Sequence, residues 1–133
     1  MKYFKHTLLF LPILLFYNCD DEYPECVCTE EFRTYFVIVV DSAGSPIDSL
    51  QTTVTNDRGK EYNFEEFTTP PFMPGAYYVM TDGYQNDFSI RAVKIFFTGV
   101  KNNLVVTGEY LFNTDECRCH VYKVAGPDTL VLK

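Results

Sequence analysis

Four cysteines stand in two Cys-x-Cys pairs, Cys26/Cys28 and Cys117/Cys119, near opposite ends of a chain of 133 residues. In an oxidising compartment such thiols become disulfides, and bridges between the pairs would force the two ends of the fold together. Bridging within a pair is awkward. Residues i and i+2 of a strand lie roughly 7 Å apart at Cα, whereas a disulfide wants about 5.5–6 Å. Neighbouring strands run close to that spacing. Parallel segments would join Cys26 to Cys117 and Cys28 to Cys119, and antiparallel segments Cys26 to Cys119 and Cys28 to Cys117. Both pairs precede a strand-like run, which favours the parallel choice. Zinc is the competing use of four thiols with His120 beside them. Zinc sites usually separate paired cysteines by two to four residues, so disulfides are expected, with no metal or other cofactor.

The fifth cysteine, Cys19, ends a segment of a different kind. Lys2 and Lys5 precede an apolar run from Thr7 to Tyr17, broken only by Pro12. Charge followed by apolar residues is the order of a signal peptide. The run falls short of the roughly 20 residues a membrane helix needs. No alanine occurs before Ala43, so an A-x-A cleavage site is absent. Leu14-Leu15-Phe16-Tyr17-Asn18-Cys19 resembles a lipobox, in which the cysteine receives acyl chains such as palmitate and becomes the mature N-terminus. Phe16, Tyr17 and Asn18 stand where that motif prefers leucine and two small residues. Asp20-Asp21-Glu22 resembles the acidic tag that directs some Gram-negative lipoproteins to the outer face of the outer membrane. Lipidation of Cys19 leaves an even four cysteines for disulfides. The expected organisation is a signal peptide over 1–18, an acidic tether over 19–31 and one domain over 32–133. The expected location is the outer membrane, surface-exposed, with a periplasm-facing protein as the alternative.

Charge narrows the partners. Loss of residues 1–18 leaves all 18 acidic residues and removes Lys2 and Lys5 from the 11 basic ones, for a net charge of −9. Phosphate-directed nucleic-acid binding needs Lys and Arg clusters, which excludes that class. Contact with the membrane would run through the N-terminal lipid rather than through charge.

The domain reads as β throughout. Thr34 to Val40 is β-branched or aromatic at every position, between Arg33 and the turn formers Asp41, Gly44 and Pro46, as a central strand would be. Further strands are expected at 50–55, 60–64, 76–81, 88–97, 104–112, 117–124 and 129–132. Turns are expected at Asn56–Gly59, Asp82-Gly83, Lys101–Asn103 and Gly126–Asp128. Three prolines bar Thr68–Gly75 from a central strand, so it should cross between sheets. No amphipathic helix of ten residues is present. Such short strands at regular spacing predict an all-β fold, a single antiparallel-rich β-sandwich with seven or eight strands.

Three segments sharpen that expectation. Val39-Val40-Asp41-Ser42-Ala43-Gly44-Ser45-Pro46-Ile47 is similar to the first strand and turn of the transthyretin-like, or carboxypeptidase regulatory-like, domains. Thr55-Asn56-Asp57-Arg58-Gly59-Lys60-Glu61-Tyr62 is similar to their following hairpin, and Pro74-Gly75-Ala76-Tyr77-Tyr78-Val79 to their proline-glycine turn and aromatic strand. The resemblance covers residues 34 to 81 and implies a sandwich of transthyretin- or immunoglobulin-like type, a non-catalytic module that supports, tethers or binds.

Candidate chemistry is sparse. His120 is the one histidine beyond the signal segment, so a hydrolase would need it as base, with Ser42 or Ser89 as nucleophile. No G-x-S-x-G is present. As a strand residue beside Cys119, His120 would point to the opposite face. Asp82/Asp87 and Asp115/Glu116 are expected to be solvated turn carboxylates, since calcium-loop spacing is missing. Among 10 Tyr and 12 Phe, Tyr77, Tyr78, Tyr84 and Phe72 cluster around turns and are the candidate binding surface. The expected function is a lipid-anchored binding or accessory module for an envelope protein or an extracellular ligand. Behind it stand an envelope or assembly subunit that pairs through strand edges and, last, a weak hydrolase.

Overall fold

Period-two burial dominates the fold. The structure, a computed structural model, describes residues 25–64 and 73–133. Its strands are β1 Thr34–Val40, β2 Gln51–Asn56, β3 Glu61–Tyr62, β4 Ala76–Thr81, β5 Val93–Lys101, β6 Leu104–Thr114, β7 Val121–Ala125 and β8 Thr129–Val131. They form a three-stranded sheet ordered β4-β1-β8 and a five-stranded sheet ordered β3-β2-β5-β6-β7. Only the β1–β8 pairing is parallel. The sheets face each other across a single core. Val37, Val39 and Val79 of the smaller sheet meet Val54, Ile95, Phe97, Tyr110 and Phe112 of the larger. This is the expected all-β sandwich, with eight strands among the described residues.

Local chemistry explains the pairings. β1 is central, and its alternate residues Val37 and Val39 are wholly buried while their neighbours are half-buried. Asn102 and Asn103 both take positive φ, 49° and 65°. That is the type I′ geometry whose twist matches a two-stranded ribbon, and it joins the two longest strands, β5 and β6. At the β2–β3 turn the Asn56 side chain accepts from the backbone N–H groups of Arg58 and Lys60, each at 2.9 Å.

Three local expectations give way. The strand expected over 88–97 lies instead at Val93–Lys101, because a 3-10 helix, Asp82–Asp87, replaces the expected turn at Asp82-Gly83. Phe88 ends that helix, its N–H donating to the Gln85 carbonyl at 3.2 Å, and its ring is buried in the core. The strand expected over 117–124 starts only at Val121. Arg118 takes a positive φ of 52°, and Asp115 folds the chain back by accepting from the Cys119 N–H at 3.1 Å. Strand alternation therefore does not set the directions of Cys119 and His120. Of the Pro-rich crossing, residues 68–72 lie outside the described residues; Met73 turns into β4, accepting from the Ala76 N–H at 3.1 Å. Among the described residues no helix is long and apolar enough to cross a membrane.

One core group is poorly matched to its site. The Tyr110 ring is 1% exposed, and its hydroxyl makes no hydrogen bond among the described residues. Burial pushes its pKa well above the usual tyrosine value. The ring fits only because residue 126 is glycine: a Cβ there would overlap the ring, and φ is +131°. Two substitutions should therefore move stability in opposite directions. Tyr110→Phe removes an unsatisfied buried hydroxyl and should stabilise the fold by about 1 kcal/mol, raising Tm by a few degrees. Gly126→Ala should lower Tm by overpacking the same contact. A thermal melt of each variant checks both signs.

Candidate functional site

Residues 25–33 carry no strand, so something other than a sheet must hold them. Two disulfides do so. Cys26 joins Cys117 and Cys28 joins Cys119, with Cα separations of 5.5 and 5.3 Å. This is the parallel pairing, and it leaves none of the four thiols for a metal. Among the described residues no group of three or more His, Cys, Asp or Glu side chains is placed to hold one. Cys19 lies outside the described residues.

Beneath the bridges sits a buried polar network. Thr81, the last residue of β4, caps the 3-10 helix by accepting from the Gly83 N–H at 3.3 Å, which turns Asp82 inward. Asp82 is 5% exposed, as is His120. Its Oδ1 accepts from the Val121 N–H at 2.7 Å, and its Oδ2 from the Arg33 N–H at 2.8 Å. His120 Nδ1 lies 2.7 Å from the same Oδ2. A carboxylate oxygen accepts hydrogen bonds and does not donate them. Nδ1 must therefore carry its hydrogen toward Asp82. In the neutral ring that leaves Nε2 as an acceptor, and the Thr29 hydroxyl stands 2.8 Å from it. The backbone of His120 is fixed as well, because its carbonyl accepts from the Thr114 hydroxyl at 2.8 Å. Turned with its nitrogen inward, the Gln85 carboxamide donates to the Asp82 and Cys119 carbonyls at 3.2 and 2.9 Å.

This network opens on a cleft of about 440 Å³, lined by Thr29, His120, Glu30, Glu31, Phe32 and Asn86, among others. Glu31 pairs with Arg33, whose guanidinium also lies over the Tyr122 ring at 4.5 Å. The Asn86 side chain makes no hydrogen bond among the described residues.

The candidates read from the sequence are distributed differently. Tyr77 turns into the sandwich, where its hydroxyl donates to the Ile47 carbonyl and accepts from the Leu50 N–H. Tyr78 and Tyr84 are half-buried and meet through Phe64, whose ring centroid is 5.6 and 5.7 Å from theirs. Phe72 lies outside the described residues. Neither serine proposed as a nucleophile partners His120. Ser89 donates to the Arg91 carbonyl, and Ser42 follows the far end of β1, about 25 Å along the strand from Arg33. The paired acids do not act together either: Asp82 is buried, while Asp87 faces Lys60. What the sequence reading missed is the Asp82–His120–Thr29 alignment. Its members are 38 and 91 positions apart, with no local signal to connect them.

The two bridges close nearly the same loop, so their contributions should not add. With one in place, the other closes only a small ring. Replacing either pair by serine should cost about 2 kcal/mol, and replacing both on the order of 6 kcal/mol, close to the whole stability of a small domain. Urea unfolding of the two double-serine variants and the quadruple variant measures this, and a quadruple loss equal to the sum of the other two would refute it. No protein-family model, curated protein or solved structure matches the chain.

Proposed function

We propose that the chain is an exported lipoprotein of the outer membrane, anchored through Cys19 and surface-exposed, whose sandwich is a transthyretin-like binding or accessory module of the cell envelope. The observation that carries this reading is the cysteine arrangement. The four cysteines of the folded part form two disulfides, as befits an oxidising compartment. The odd fifth sits at the end of a signal-like segment. An acyl chain on Cys19 gives that thiol a use and the domain an attachment. The partner is an envelope protein or an extracellular ligand.

Strand-edge assembly is the weaker alternative. Two of the four edge strands, β3 and β8, have only two and three residues, and such short edges are poor templates for adding a strand. β4 and β7 are longer, with six and five. Crosslinking on whole cells separates the readings: one heterologous adduct supports a binding module, and self-adducts alone support assembly.

The anchor itself is tested by the intact mass of the protein recovered from bacterial membranes. The expected species lacks residues 1–18, carries acyl chains and offers four thiols to alkylation only after reduction. An unprocessed chain, or four thiols labelled without reduction, would overturn the reading.

A further inference from the structure

We propose that Thr29, His120 and Asp82 form a nucleophilic site that cleaves short acyl esters of neutral or cationic alcohols. The proposal departs from the expectation of a non-catalytic module. It rests on the folded domain alone and holds or fails independently of the membrane anchor.

The argument begins with polarity. Asp82 is buried and saturated by two backbone N–H groups and by His120 Nδ1, so it fixes the tautomer and the orientation of the ring. The base nitrogen Nε2 then faces the hydroxyl of Thr29 at 2.8 Å. Nucleophile, base and orienting carboxylate in a hydrogen-bonded line are the geometry by which a weak hydroxyl nucleophile is activated. Thr29 is solvent-exposed whereas the base behind it is buried, which is the disposition a substrate would need to reach the hydroxyl first.

Position comes from the disulfide. Thr29 directly follows Cys28 and His120 directly follows Cys119, and these two cysteines are bonded to each other. One covalent bond thus holds nucleophile and base in register, although Thr29 belongs to no strand or helix. Positional tolerance in such sites is small, of the order of 1 Å, and an unclamped N-terminal segment would not supply it. The Asn86 carboxamide, which carries N–H donors, lines the same cleft. Glu30 and Glu31 also line it and disfavour anionic substrates.

The chemistry balances without a cofactor. Thr29 Oγ attacks the carbonyl carbon of the ester while its proton passes to His120 Nε2. The tetrahedral adduct collapses, the C–O bond to the alcohol breaks, and His120 returns the proton to the departing oxygen. Water then attacks the acyl-threonine, losing a proton to Nε2, and the carboxylic acid leaves as that proton returns to Thr29. Asp82 touches none of the reacting atoms and is a positioning residue.

The test uses the full-length, oxidised protein in detergent, with a fluorophosphonate probe and p-nitrophenyl acetate. The expected outcome is labelling at Thr29, retained in Thr29→Ser and absent in Thr29→Val. The Thr29→Val rate should fall at least about 100-fold, to the uncatalysed background. Thr29 is exposed, so Thr29→Val should fold, which an unchanged Tm verifies. Asp82→Asn should lower kcat per folded molecule, the folded fraction being read from the variant's own thermal melt, because unfolding alone reduces only the amount of active protein. The Cys28→Ser/Cys119→Ser variant, still held by Cys26–Cys117, should lose activity while remaining folded. Wild-type hydrolysis no faster than that of Thr29→Val, or labelling at any residue other than Thr29, overturns the proposal.

Discussion

A buried carboxylate must be answered by donors, and the fold around Asp82 is arranged to provide them. The N–H of Arg33 comes from the segment entering β1, the N–H of Val121 from the start of β7, and Nδ1 of His120 from the turn between β6 and β7. Asp82 itself opens the 3-10 helix after β4. Through one side chain the smaller sheet, the larger sheet and the N-terminal segment are made to converge. Such a group specifies geometry more surely than it adds stability, because taking a carboxylate from water offsets much of what its contacts return. Removing one partner leaves the other buried and unanswered, which makes this end of the sandwich intolerant of change.

The disulfides complete what the carboxylate begins. Residues 25–33 gain no strand pairing, so cross-links, side-chain contacts and the Asp82 N–H donating to the Arg33 carbonyl order them. Two bridges two residues apart fix both the position and the direction of the segment, where a single bridge would leave it free to swing about one bond. That is a physical reason for a pair of Cys-x-Cys motifs. The first closure removes the entropy of a long loop, and the second defines orientation. The Thr29 hydroxyl reaches His120 because it lies within this doubly fixed segment.

How much of this was legible in the sequence follows from the range of each interaction. The strands of β1 and β4 and the turns at Asn56–Gly59 and Lys101–Asn103 are written in local patterns, and they form where those patterns put them. Arranging these elements as a two-sheet sandwich needed no long-range information either. The misplacements at Phe88 and Cys117 share one cause. Both segments read as apolar or alternating, but their paths are set by capping and by Asp115 acting on the backbone, and alternation says nothing of such hydrogen bonds. The site was less legible still. Asp82 reads as a solvated turn residue because Asp-Gly commonly is one, and only the fold reveals that its side chain is buried. His120 is one of two histidines in the sequence, yet nothing in the chain names Thr29 as its partner.

The two ends of the sandwich have consequently different characters. At one end lie the bridges, the 3-10 helix, the β2–β3 turn and the buried polar network, all tied to several elements at once. At the other lie the loop from Asp41 to Leu50 and the Asn102-Asn103 turn, where contacts such as Lys101 Nζ to the Asp48 carbonyl are exposed. Cys19 precedes Cys26 by seven residues, a reach of at most about 25 Å when extended. A lipid on Cys19 would therefore hold the cross-linked end near the membrane and turn the Asp41–Leu50 end outward. Tension on the anchor would enter the domain through Cys26 and Cys28 and pass directly to Cys117 and Cys119, bypassing β1. A sheet-paired tether would have to bear that load on hydrogen bonds, which open far more readily than a covalent bond. The bridges that hold Thr29 beside His120 would, in a lipid-anchored chain, also suit the segment to be pulled.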